Sequence, residues 1–112
     1  MDYRDAIRRK VEKELGKETG YLRYLLSSDT GQGELNVDGM VCHTPAYSFT
    51  EMSDIVRSEF EKRNPVRKVV PIGFRGETFI SDEKELEIYA TGSAGLIEYR
   101  VRSRTLEAER GR

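Results

Sequence analysis

The chain has 112 residues, of which 37% are hydrophobic and 35% are charged, and its formal net charge at pH 7 is −1. This length fits a single domain with one core. The near balance of 19 Lys+Arg against 20 Asp+Glu excludes a polyanion-binding surface that covers the whole protein. The single cysteine excludes an intramolecular disulfide and fits a reducing compartment.

No apolar segment is long enough to cross a bilayer, and the first residues lack the apolar run of a secretory signal. We therefore expect a cytoplasmic protein without a membrane partner. Two asparagines and one glutamine, set against abundant Glu and Arg, form a balance typical of heat-adapted proteins.

Residues 2–18 are predicted to form the first helix. One narrow apolar row recurs every four positions, at Tyr3, Ile7, Val11 and Leu15. Such a row docks on the protein's own sheet or serves as a docking arm for a partner. Residues 21–27 follow and are predicted as a strand, although their short Tyr- and Leu-rich run also permits a helix.

Residues 34–44 carry the pattern of a β-hairpin. Asp38-Gly39 favours a two-residue turn in which both residues have positive φ. This turn pairs Val37 with Met40 and Leu35 with Cys42, and alternation then brings these four side chains to one face.

Residues 48–63 are predicted to form the second helix. Ser48 and Glu51 have the spacing of a capping box, and Asn64-Pro65 ends the helix. Its apolar stripe comprises Phe49, Met52, Ile55, Val56 and Phe60.

Residues 66–81 are predicted as two strands around Arg75-Gly76. Pro71 cannot donate to a ladder, so this segment is expected at a sheet edge or with a bulge, and the charges of Arg67 and Lys68 suit an edge.

Residues 83–105 are predicted as a long hairpin around positions 92–95. Pairing Thr91 with Leu96 gives the hairpin one apolar face and one ionic face. A strand register shifted by two residues would keep both faces. The expected ion pairs across the strands are Glu87 with Arg100, Glu85 with Arg102, and Glu83 with Arg104. Residues 106–112 are expected to be a short C-terminal tail after a single domain of residues 1–105.

These elements predict an α+β fold, with a curved antiparallel sheet of about five to six strands and two helices, N-terminal and central, packed on one face. If residues 21–42 formed only two strands, the order α-β-β-α-β-β-β would resemble the element order of roadblock-type and profilin-like dimerising domains. That resemblance concerns element order alone and does not give a function.

Candidate catalytic and metal-binding motifs have structural explanations. Cys42 and His43 are adjacent on a predicted strand, so alternation turns them to opposite faces, and a thiolate–imidazole dyad would require a bulge that breaks this alternation. Asp29-Thr30-Gly31 resembles the aspartic protease tripeptide, but Ser27 precedes it where that family has an apolar residue, and a turn is the ordinary interpretation. One histidine and one cysteine give no metal-ligand spacing, and no cofactor motif is present.

Three hypotheses for the function remain, and for the last of them, an enzyme, no catalytic residues are assigned. The first is a protein-interaction or assembly module, without an expected catalytic site, that self-associates or binds a protein partner. Its interface would use the helix row Tyr3, Ile7, Val11 and Leu15 or the edge residues Val66 and Val70. The alternative is nucleic-acid binding by a basic segment in which the cations contact phosphates and Phe74 stacks on a base. That segment comprises Lys62, Arg63, Arg67, Lys68, Phe74 and Arg75.

Overall fold

The computed structural model describes residues 3–73, 75–93 and 95–106. Position 2 of the predicted first helix, the stacking residue Phe74 and residues 107–112 of the predicted tail lie outside the described residues.

The first helix, α1 (Tyr3–Leu15), docks on the protein's own sheet. Its apolar row supplies Ile7, Val11 and Leu15 to the core, while Tyr3 at the start is 43% exposed. The helix ends before Gly16. There the ammonium of Lys84 donates hydrogen bonds of 2.6 Å and 2.8 Å to the carbonyls of Leu15 and Lys17, which satisfies acceptors that a helix end leaves unpaired.

In the described part of the chain, seven antiparallel strands form one open sheet in the order β3-β2-β1-β7-β6-β5-β4. Their bounds are β1 Thr19–Ser27, β2 Gln32–Val37, β3 Met40–Pro45, β4 Lys68–Pro71, β5 Gly76–Ile80, β6 Lys84–Ser93 and β7 Leu96–Thr105. The predicted α+β class with a curved sheet is confirmed, and the strand count is slightly higher than the five to six expected. Residues 19–45 form three strands, so the two-strand condition for the roadblock-like and profilin-like element order is not met.

The sheet consists of two meanders that β1 and β7 join along its centre. β1 pairs with β7 over nine residue pairs, from Thr19 opposite Arg104 to Ser27 opposite Leu96. Because these two strands pair with each other, the outermost strand of each meander, β3 on one side and β4 on the other, becomes an edge.

The β2–β3 hairpin has the predicted turn and register. Asp38 and Gly39 have φ values of 54° and 76°, which define a left-handed two-residue turn. Val37 pairs with Met40, and Leu35 pairs with Cys42, as the alternation of apolar residues requires.

The β6–β7 hairpin has the predicted faces but a register that differs by two residues. Ser93 pairs with Leu96 across a two-residue turn in which Gly95 has a φ of 84°, so the loop is shorter than predicted. The predicted ion pairs are therefore corrected: Glu87 is opposite Arg102, Glu85 is opposite Arg104, and Glu83 precedes β6. A shift of two residues preserves the side-chain parity, which explains why the apolar face stays intact.

The second helix, α2 (Phe49–Glu61), has the predicted cap and stripe. The Ser48 hydroxyl accepts a hydrogen bond from the Glu51 N–H, and the Glu51 carboxylate accepts one from the Ser48 N–H, both at 3.1 Å. The side chains that the helix buries in the core include Met52, Ile55, Val56 and Phe60. The Phe49 ring packs edge-on against Tyr99, with 4.7 Å between ring centroids.

A buried hydroxyl of β1 fixes the end of the β2–β3 hairpin. The Tyr24 hydroxyl lies 2.9 Å from Thr44 Oγ1, donates to the Pro45 carbonyl at 3.0 Å, and accepts from the Tyr47 N–H at 3.1 Å. Gly33 gives it room, since a Cβ on that residue would lie 1.8 Å from the Tyr24 hydroxyl oxygen.

Replacing Gly33 by alanine should therefore destabilise the fold. The new methyl group overlaps a buried, fully engaged hydroxyl, so we expect Gly33→Ala to lower the free energy of unfolding by about 3 kcal/mol. Urea denaturation followed by circular dichroism measures this loss. Gly16→Ala is the matched control, because a Cβ on Gly16 would meet no atom closer than 3.5 Å. Equal effects of the two substitutions would contradict the claim that Gly33 makes room for the Tyr24 hydroxyl.

Candidate interaction surface

The two edges of the sheet differ in their protection against pairing with another strand. β4 is only four residues long, contains Lys68 and ends at Pro71. These are common devices against edge-to-edge association, and the predicted edge position of this segment is confirmed.

β3 has little of this protection. Its sequence, MVCHTP, contains no lysine, arginine or carboxylate, and only Pro45 at its end lacks an N–H. Met40 is 68% exposed and Val41 is 51% exposed, among the most exposed large hydrophobic side chains of the described residues. Sequence reasoning identified this hairpin but not its edge position, although the uncharged run at 40–45 was the available signal.

The turn geometry determines which backbone groups of β3 face outward. Val37 and Met40 flank the two-residue turn and form a hydrogen-bonded pair, so the pairs alternate from there along the ladder. Met40, Cys42 and Thr44 therefore direct their backbone groups toward β2. Val41 and His43 direct theirs away from the sheet, where no strand of the described residues lies.

A shallow apolar groove accompanies this edge on the helix-covered face. It has a volume of about 200 Å³ and runs between α1 and the β2–β3 hairpin. Leu35, Val37 and Cys42 contribute its apolar lining, while Lys10 and Lys13 of α1 contribute cations. The helix thus covers the hairpin only in part, which leaves Met40 in solvent.

An ion pair connects the turn of the β2–β3 hairpin to the residues that follow α1. The Lys17 ammonium lies 2.6 Å and 2.8 Å from the two carboxylate oxygens of Asp38, and 3.0 Å from Glu14 Oε1. The hydrogen bond from Lys17 lowers the pKa of Asp38, and the bonds to Asp38 and Glu14 raise the pKa of Lys17.

Cys42 and His43 lie on opposite faces of β3, as predicted. Cys42 is half-buried against the core, while His43 is exposed on the outer face opposite Glu34. Asp29-Thr30-Gly31 forms the exposed turn between β1 and β2, where Gly31 has a φ of 65°.

The predicted basic segment is dispersed and partly neutralised. Lys62 lies 2.9 Å from Glu59, and Arg63 lies 3.1 Å from Glu12. Both Nε and Nη2 of Arg67 donate to the carboxylate of Asp82, at 3.3 Å and 3.1 Å. Lys68 is exposed on β4, and Arg75 is exposed at the β4–β5 turn, at the other end of that strand.

Most of the residues predicted to form an interface are buried or half-buried in this fold. Ile7, Val11 and Leu15 are core residues of this fold, and only Tyr3 of that row is exposed. Val66 packs against the core before β4, and Val70 is half-buried on the outer face of that strand.

β7 carries a stripe of three arginines, Arg100, Arg102 and Arg104, on the outer face of the sheet, opposite acidic and aromatic residues of β6. Glu98 bridges Arg23 of β1 and Arg100 of β7 at 3.1 Å and 2.9 Å, although these arginines are directly opposite each other. The hydrogen bonds that Arg100 donates to Glu98 and then to Tyr89 raise the pKa of its guanidinium. Arg104 pairs with Glu85 at 3.1 Å. Arg100 and Arg104 thus each have a carboxylate partner, but neither partner is the predicted one, and Glu98 is a partner that sequence reasoning missed.

Two cavities flank the β4–β5 turn, with volumes of about 700 Å³ and 330 Å³. Gly73 and Arg75 line both of them. The larger also contains Glu87 and Tyr89, and neither combines a nucleophile with a histidine base among the residues that the structure describes. Within the same residues, no cluster of three or more His, Cys, Asp or Glu side chains could hold a metal ion.

No family profile, curated protein or solved structure matches this chain. Within the described parts of the chain, neither helix has the length and apolarity that crossing a bilayer requires.

The Lys17–Asp38 contact predicts a pH-dependent stability. A depressed folded-state pKa means that Asp38 stabilises the fold above its ordinary value of 3.8, and that this contribution disappears as the pH falls through the lower folded value. Asp38→Asn keeps a residue that tolerates positive φ but removes the charge. We expect the difference in Tm, wild type minus variant, to be larger at about pH 6 than at about pH 2.5. Calorimetric melts of both proteins measure it, and a difference independent of pH would show that the ion pair does not stabilise the hairpin.

Proposed function

We propose that this protein is a small self-associating interaction module whose contact is the outward edge of β3. The observation that carries the proposal is an edge strand of six residues that has no Lys, Arg, Asp or Glu and begins with two exposed hydrophobic residues. Strand addition at such an edge is a recurrent mode of protein association, because main-chain hydrogen bonds and alternate side chains both contribute.

The burial of the helix row favours β3 over the other candidate surfaces. Since Ile7, Val11 and Leu15 already form the core, their use by a partner would require α1 to leave the sheet. The edge that includes Val70 is short and carries Lys68 and Pro71. The proposed contact therefore moves from Val66 and Val70 to the opposite side of the sheet.

A second copy is the occupant that the chemistry of β3 favours. The strand has no Lys, Arg, Asp or Glu, so two antiparallel copies bring none of these side chains into direct opposition along it. The alternative of nucleic-acid binding has less support, because Lys62, Arg63 and Arg67 each have a carboxylate partner. A gel shift that appears at low salt and weakens steeply as salt rises would favour that alternative.

A charge placed on β3 should weaken self-association. Val41→Lys replaces an exposed apolar side chain of the edge strand by an ammonium, the kind of charge that blocks edge pairing in natural sheets, and we expect the dimer dissociation constant to rise by at least about tenfold. Sedimentation equilibrium over a range of protein concentrations measures that constant.

Val69→Lys on β4 is the matched control, since Val69 is similarly exposed, at 47%, on the other edge strand. We expect its dissociation constant to equal that of the wild type. A wild-type protein that stays monomeric at all concentrations, or a larger effect from the control, would contradict the proposal.

A further inference from the structure

We infer that two copies pair through β3 in one antiparallel register, centred on Cys42, so that Cys42 of one copy is directly opposite Cys42 of the other. This inference rests on the proposed function and adds the geometry of the contact to it.

The backbone of β3 offers few groups to a second strand. Only residues of one parity, Val41, His43 and Pro45, point outward, because Cys42 and Thr44 pair with β2. Pro45 has no N–H, and its carbonyl already accepts hydrogen bonds from Tyr24 and Tyr47. The available groups are therefore the N–H and C=O of Val41 and His43.

Three symmetric registers bring these groups together, and they differ in how many hydrogen bonds they form. In the first register, Val41 of one copy is opposite Val41 of the other. His43 is then opposite Gly39, a turn residue with a φ of 76°. In the second register, His43 of one copy is opposite His43 of the other. Val41 is then opposite Pro45, which has no N–H to donate a hydrogen bond. When Val41 faces His43 instead, each such pair exchanges two bonds, and the two symmetric pairs form four in total. This register alone uses every available group.

The side chains agree with the register. Cys42 would face Cys42 in a non-hydrogen-bonded pair, whose Cα atoms are about 4.5 Å apart. Exposed Met40 would face Thr44 on the helix-covered side, and Val41 would face His43 on the outer side. The seven described strands of each copy would then form one continuous sheet of fourteen.

Oxidative cross-linking tests the register. A Cα separation of about 4.5 Å lies within the range that a disulfide spans. With diamide as oxidant, each of the two Cys42 thiols loses one proton and one electron, a sulfur–sulfur bond forms, and diamide is reduced to the hydrazine. Because Cys42 is the only cysteine, non-reducing electrophoresis reports this one contact, and Cys42→Ser is the blank.

The double variant Val41→Cys, Cys42→Ser measures the competing register. In the inferred register the two residues at position 41 are offset by two positions, which places their Cα atoms about 8–9 Å apart, beyond the reach of a disulfide. We expect cross-linking through Cys42 to be at least about tenfold faster than through position 41. Faster cross-linking through position 41 would overturn the register while leaving self-association intact.

Sedimentation of the same samples separates the two claims. A monomer at every concentration overturns the proposed function and this inference together. A dimer whose Cys42 residues do not cross-link overturns the inference alone. Cross-linking through Cys42 that is equally fast in Val41→Lys would identify random collision and would also overturn the inference.

Discussion

The pairing of β1 with β7 is the constraint on which the rest of the structure depends. All other strand pairs connect neighbours in the sequence, whereas this pair closes nearly the whole chain and joins the two meanders over nine residue pairs. This pairing also brings Arg23 directly opposite Arg100. Glu98 offsets the repulsion between these like charges because its carboxylate contacts both arginines. Both helices lie on one face of the joined sheet, and the other face is lined by ionic and aromatic side chains.

The pairing also decides which strands are edges. With β1 and β7 at the centre, the two sides of the sheet are β4, the shortest strand, and β3, which has no Lys, Arg, Asp or Glu. Natural proteins protect edges with charge, proline and short length. β4 has all three, and β3 has only Pro45 at its end. The asymmetry is consistent with a strand that is kept available for pairing, which is the physical basis of the proposed self-association.

Local patterns were sufficient for most of the fold. The Asp38-Gly39 turn, the Ser48 capping box and the alternation in each hairpin depend on near neighbours, so they could be predicted from the sequence. The β6–β7 register could not be fixed, because a shift of two residues preserves both faces and four small residues permit more than one turn. The sheet order depends on the long-range pairing of Thr19–Ser27 with Leu96–Thr105, for which the sequence has no local signal. The edge position of β3, and with it the candidate interface, follows only from that order.

Amide hydrogen exchange of β3 as a function of protein concentration tests the central claim most directly. If a second copy pairs with the outward edge, the amides of Val41 and His43 should exchange more slowly as the concentration rises. The amides of Cys42 and Thr44, which bond to β2, should be protected at every concentration. Exchange at Val41 and His43 that is fast and independent of concentration would contradict the account.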